Sequence, residues 1–295
     1  MTRWQLLATA LIVLNLTAPL SAQTPSPAEL QQIQHLWKQI RWTAGPARAA
    51  VGDQASISIP AGFQITDAAG SRLWNQINQN LEAGECAVIV PDTLDWRMSF
   101  RFDPIGRVSD DEGQSLDAAA ILNTVRSNTL QGNPERQRLG YGSLFIDGWI
   151  RSPVYNIATK RLEWAYAGHS DDGNRFANFD TRILGRNGVM TVKLIADADK
   201  IEAVIPIANQ LLQGFTFQTG NNYAQWQAGD KVASVGLTAL ITGTTTAAVA
   251  KTGLLQKLGA FFGKFIYLIG AGVAAFFWKL FHGAKPAEST TPPSK

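Results

Sequence analysis

Two turn dipeptides, Asp172-Gly173 and Asn187-Gly188, constrain the fold of this chain more than any other feature, because an Asx-Gly pair between apolar runs specifies a tight β-hairpin and thereby a strand register. Read as two-residue loops, the first places Leu162 opposite Ile183, Trp164 opposite Thr181 and Tyr166 opposite Phe179. The second places Ile183 opposite Val192 and Thr181 opposite Leu194. Both put the large apolar side chains on one face. The alternate face then carries Glu163, Arg182 and Lys193 in one row across three strands, with Ala165 opposite Asp180. A further strand is expected over Trp96 to Asp103, where Trp96, Met98, Phe100 and Phe102 alternate with Arg97, Ser99, Arg101 and Asp103.

Helices are expected around these strands. Pro27 to Trp42 carries Leu30, Ile33, Leu36, Trp37 and Ile40 on one face, and Leu116 to Leu130 reads as a second helix beginning near Ser115. Asp199 with Glu202 three residues on resembles a capping box, opening a helix that Pro206 should kink or restart and Gly214 should end before a short strand at Phe215 to Phe217. Ile57 and Ile59, then Phe63 and Ile65, suggest two short strands around Pro60 and Gly62. The fold class expected is α+β, a mainly antiparallel sheet with helices packed on its one apolar face.

The ends have a different character. Arg3, the uncharged stretch Leu6 to Leu16, Pro19, Ser21 and Ala22 have the layout of a signal peptide spanning residues 1–22. Residues 23–230 then form one extracytoplasmic domain, a membrane anchor follows over 231–282, and 283–295 is a disordered tail. Two candidate spans lie in the anchor, 232–250 and 258–281, the second interrupted by Lys264 and bordered by Lys279, so a single span and a helical hairpin are both open. Charge follows the same division: Gln23 to Asp230 holds 18 Lys and Arg against 22 Asp and Glu, a balance of −4, whereas Lys231 onward holds seven lysines and Glu288, a balance of +6. Basicity gathered beside apolar segments points to a lipid bilayer as partner and to the bacterial inner membrane as location, and it argues against nucleic acid. Gly236, Ala239, Gly243 and Ala247 recur at three- and four-residue spacing, a pattern for helix-helix approach in a homo-oligomer that also arises by chance in such composition.

Chemistry is sparse in this sequence. His35, His169 and His282 are far apart and no metal-ligand spacing occurs, so no metal and no cofactor is expected. Cys86 is the single cysteine, read as a buried, inert thiol, and Asp110, Asp111 and Glu112 read as a solvated acidic turn. The candidate binding residues are Trp149, Tyr155, Glu163, Arg182 and Lys193, with Trp149 placed by alternation beside Asp147 and Arg151 on the open face. Their row is either a ligand-binding face or a ladder of cross-strand ion pairs. An enzyme would need acid and base from Glu163, Asp180, Lys193 and Arg182.

The runs GYGSLFIDGWIRSPVYNIATKRLEWA from Gly140, NFDTRILGRNGVMTVKLIAD from Asn178 and AGDKVASVGLTALITG from Ala228, together with GPARAAVGDQASISIPAGF from Gly45 and FDPIGRVSDDE from Phe102, resemble a bacterial membrane-anchored family called domain of unknown function 2167. The resemblance covers nearly the whole mature chain and implies a membrane-held protein, with no activity, cofactor or catalytic residue to transfer. The strand-turn-strand start and the final strands plus helix are also similar to photosystem-associated PsbP and Mog-type α+β domains, a likeness of fold rather than function. The reading that follows is a non-enzymatic binding or scaffolding domain of the bacterial envelope, meeting a partner through its polar sheet face. A carboxylate and lysine hydrolase and an accessory subunit of a membrane transporter are the alternatives.

Overall fold

The computed structural model describes residues 27–78, 83–138 and 142–243. The expected signal peptide, the second candidate span and the tail lie outside them.

In chain order the elements are helix α1 (Pro27–Gln39), strands β1 (Thr43–Ala44), β2 (Ala47–Val51), β3 (Ala55–Ile59) and β4 (Phe63–Asp67), helix α2 (Ala68–Ile77), and strands β5 (Ala87–Pro91) and β6 (Trp96–Asp103). Helix α3 (Ala118–Arg138) leads into a meander of β7 (Leu144–Asn156), β8 (Arg161–Ser170), β9 (Arg175–Leu184) and β10 (Val189–Asp197), followed by α4 (Ile201–Gln213), β11 (Phe215–Phe217) and α5 (Leu237–Thr242). The strands form an antiparallel eight-stranded sheet in the order β1-β4-β5-β6-β10-β9-β8-β7 and a small sheet, β11-β3-β2. The α+β class and the antiparallel sheet are as the patterning predicts.

Both faces of the large sheet are covered, however. One face buries Trp96, Met98, Phe100, Phe179, Ile183, Val192 and Leu194 against Ile201, Val204, Ile205, Leu211 and Leu212 of α4 and against Ile57, Ile59 and Phe217 of the small sheet. The other face has two separate cores. Val88 and Val90 of β5 meet Trp74 and Ile77 of α2 and Ile40, with the α1 side chains Ile33, Leu36 and Trp37 packed on them. Farther along, Leu144, Leu162, Trp164, Tyr166, Phe176 and Leu184 pack with Ile121 of α3 and Leu237, Leu240 and Ile241 of α5. Helices therefore pack on both sides, because the strands carry large apolar residues at alternate positions on both.

The register explains why one covered face was missed. Between β8 and β9 the loop is Asp171-Asp172-Gly173, closed by Gly173 N–H donating to Ser170 O (2.9 Å) and Ser170 N–H donating to Asn174 O (3.0 Å), with Gly173 at φ +82°. A type I turn completed by a left-handed glycine is a three-residue hairpin loop. It shifts the pairing by one residue, so Leu162 faces Arg182, Trp164 faces Asp180 and Tyr166 faces Asn178. A one-residue shift exchanges faces, and Leu162, Trp164 and Tyr166 leave the side that holds Phe179 and Ile183. At the second turn Gly185 N–H donates to Gly188 O (2.8 Å), making Arg186-Asn187 the central pair one position early. Ile183 then faces Met190 and Thr181 faces Val192, a two-residue slip that keeps the expected face.

Two further expectations are corrected. Pro206 sits inside one continuous helix α4, exposed on its outer side. The expected domain end at residue 230 and a span beginning at 232 do not hold: Ala233 N–H donates to Arg107 O (2.8 Å), and Leu237, Leu240 and Ile241 are buried in the domain. Helix α5 stops at Gly243, whose φ of +70° is left-handed. Gly236 of the supposed small-residue stripe abuts the Glu112 carboxylate rather than another helix. No helix among the described residues is long and apolar enough to cross a membrane.

Candidate functional site

The polar positions of β6, β10 and β9 lie on the same face as the α-helical cores of α2 and α3 and are buried: Arg97, Arg101, Asp103, Thr191, Lys193, Asn178, Asp180 and Arg182. Register builds this ladder. Lys193 stands opposite Asp180 and Thr191 opposite Arg182 across β10 and β9, while Thr191 stands opposite Arg101 across β10 and β6. The Asp180 carboxylate takes Lys193 Nζ at 3.1 Å and Arg182 Nη1 at 3.2 Å. Arg101 meets Asp103 through Nε (2.7 Å) and Nη2 (2.9 Å), and the Thr191 hydroxyl donates to the same carboxylate at 2.6 Å. The Arg182 guanidinium lies 4.7 Å from the Trp164 ring centroid. Asn178 donates to the Tyr166 hydroxyl (2.8 Å), whose pKa is pushed up by burial. Ions taken out of water this far hold their charge only when paired and hydrogen-bonded, which is what each carboxylate here provides.

Of the residues singled out from the sequence, Arg182 and Lys193 belong to this ladder and Glu163 does not. The one-residue register shift turns Glu163 to the opposite face, facing Thr181 across β9 and Val154 across β7. There burial raises its carboxyl pKa, while Arg161 and Arg151 oppose that shift. Trp149 is no open platform: bulges between Ile146 and Gly148 and between Trp149 and Arg151 break the alternation, and its indole N–H donates to Ala118 O (2.9 Å), pinning the start of α3. Tyr155 is buried, and its hydroxyl donates to Asp110 Oδ2 at 2.7 Å.

Asp110 is the centre of a second cluster, where a solvated turn was expected. Lys160 Nζ reaches the same Oδ2 (2.8 Å), and the Tyr223 hydroxyl reaches Oδ1 (2.9 Å). Burial alone would raise the Asp110 pKa, but these donors outweigh it and hold the carboxyl at about 2. Burial and the Asp110 charge push Tyr223 up to about 12 and raise Tyr155 as well. Glu112 of the same acidic run accepts from Thr238 N–H (3.1 Å) at the start of α5. The run thus clasps the β7–β8 hairpin end and the segment 221–243 to the body of the domain. No sequence pattern joins Asp110 to Tyr223, although the turn polarity of Ser109 to Glu112 marks where a clasp can form. Among the described residues no group of His, Cys, Asp and Glu is arranged to hold a metal ion.

Among solved structures, the solution structure of cyanobacterial PsbP (CyanoP) from Synechocystis sp. PCC 6803 is similar at 10% identity, covering 60% of this chain and 92% of that chain with a TM-score of 0.34, an overlap that carries no inference about role. No curated protein matches the chain in sequence. The family described as "Protein of unknown function (DUF2167)" matches residues 43–274, most of the chain, and the protein belongs to that family.

Proposed function

We propose that this protein is a non-enzymatic binding or scaffolding domain of the bacterial envelope, held at the membrane by its lysine-punctuated apolar segment 258–281. The observation that carries the reading is the engagement of Asp180: its carboxylate is shared by Lys193 and Arg182, and Glu163 lies on the other side of the sheet. A general acid and base must face a common substrate with capacity to exchange a proton. These groups instead neutralise one another in the interior and stiffen the central strands, so the former polar-face partner site moves to the outer surface of the domain.

Crosslinking of the intact protein in its native membrane, followed by mass spectrometry, tests the reading. One reproducible protein partner, with crosslinks to the outer surface of residues 27–243, is the expected result. Turnover of a hydrolysable substrate that is lost in Asp180→Asn while the fold is retained would overturn it.

A further inference from the structure

Beyond this reading, and independent of it, Arg107 stands at the end of the sheet in an arrangement that its neighbours do not complete. The backbone is locked there: Arg107 N–H donates to Lys231 O (2.9 Å), and Val232 bridges Arg107 in parallel. Gly106 makes the approach possible, since a Cβ at that position, with φ +96°, would stand 2.7 Å from Lys231 O. There the Arg107 guanidinium lies over two aromatic rings, 4.4 Å from the Tyr223 centroid and 5.1 Å from that of Trp226. Stacking fixes the plane of a guanidinium and leaves its N–H edge for an oxyanion.

The carboxylates nearby are engaged with other groups. Asp110 serves Tyr155, Lys160 and Tyr223; Asp111 accepts from Ser109; Glu112 caps α5; and Asp230 is held by Arg186 at 2.6 and 2.9 Å. Among the described residues Arg107 Nε and Trp226 Nε1 are both buried without a hydrogen-bond acceptor. Buried donors in native proteins are almost always paired, so two such donors on neighbouring side chains call for an acceptor that none of the described residues supplies. The Lys231 side chain turns away over Gly106, its Nζ donating to the exposed Pro104 carbonyl at 3.2 Å, and Val232 next to it is 58% exposed.

We propose that Arg107 and Trp226 form a binding subsite for a phosphate group, whose oxygens accept from the guanidinium and the indole N–H. A planar guanidinium fork matches two oxygens of a phosphate, and a third oxygen remains for the indole N–H. Inorganic phosphate and the headgroup of an anionic phospholipid share this chemistry.

The test uses the full chain in an uncharged, phosphate-free detergent, with fluorine-labelled tryptophan and the Trp226 resonance assigned by Trp226→Phe. It is titrated separately with inorganic phosphate and with a short-chain phosphatidylglycerol. A saturable shift of the Trp226 resonance is expected with one of the two, abolished in Arg107→Ala and weakened by about tenfold in Arg107→Lys, which keeps the charge and loses the fork. A shift with inorganic phosphate identifies a free-anion site, and a shift with the lipid alone identifies a headgroup site. No saturable shift with either, or a shift that persists in Arg107→Ala or Arg107→Lys at full strength, overturns the proposal. The remaining tryptophan resonances report whether each variant is folded.

Discussion

The ladder around Asp180 and the clasp around Asp110 are both charged networks centred on one carboxylate, yet they are built by different means. In the ladder, adjacent antiparallel strands bring Lys193 opposite Asp180, so pairing register alone makes the contact, inside a face that excludes water. In the clasp, Asp110 meets Tyr155, Lys160 and Tyr223 from a β-hairpin and a distant loop, and part of the cluster reaches solvent. The comparison teaches that local pairing can place charges in the interior, where each depends wholly on its partner, whereas long-range closure places them at an edge, where water shares the load.

The largest effect is therefore expected in the ladder. Asp180→Ala leaves Lys193 and Arg182 buried without their shared carboxylate and should cost about 3–5 kcal/mol, read as a shift of the chemical denaturation midpoint of the full chain in detergent. A loss no larger than that of the clasp variant would break the distinction between the two networks. Asp110→Asn keeps the shape of the clasp and removes its charge, with an expected loss of about 1–3 kcal/mol and faster proteolysis within 221–243.

Acid sharpens the same contrast. Because the folded Asp110 pKa lies at about 2, below the ordinary value of 3.8, its contribution is present above pH 4 and is lost as pH falls toward 2. The Asp110→Asn variant should lack that component of an acid titration followed by tryptophan fluorescence. Glu163 works in the opposite sense: burial raises its pKa above the ordinary 4.5, so it favours the fold below that value and disfavours it as pH rises through its folded pKa. Glu163→Gln should accordingly raise stability slightly at neutral pH, and a loss there would mean that Arg151 or Arg161 needs its charge. The smallest effect is expected from Arg151→Ala, which breaks an exposed pair with Glu202 and should change stability by no more than about 0.5 kcal/mol.

Cys86 adds a kinetic comparison with these surface groups. Its thiol donates to Phe100 O (3.3 Å), and burial pushes its pKa up to about 11, so alkylation at pH 8 should proceed on unfolding and not before.

Much of the element inventory was legible in the sequence because it rests on local patterning. The alternation from Trp96 to Asp103 is the whole of β6, and Leu30 to Ile40 marks α1 through its apolar spacing. The candidate site was legible only in part. Arg182 and Lys193 are legible as alternate-face residues of adjacent strands, but Glu163 is drawn into their row because one extra residue in the Asp171-Asp172-Gly173 loop exchanges the faces of β8 relative to β9, and Lys193 meets Asp180 rather than Arg182 because the second turn slips the β9–β10 register by two residues. Trp149 was misplaced because bulges in β7 are invisible to a period of two. The segment after Asp230 looked like the start of a membrane span because apolarity does not reveal whether Leu237 and Ile241 meet lipid or the core of the same domain.

By itself the sequence determined the antiparallel α+β class, the strands β3, β4, β6 and β8 to β11, the helices α1, α3 and α4, and the division of charge along the chain, since these follow from periodicity and composition within a few residues. Only the tertiary structure decided that both sheet faces are buried, that Asp180 and not Glu163 joins Arg182 and Lys193, and that Asp110 and Glu112 fasten the segment 221–243. Those outcomes depend on register and on contacts between residues more than a hundred positions apart, and the free energy that selects them comes from desolvation and pairing across the fold rather than from any local preference.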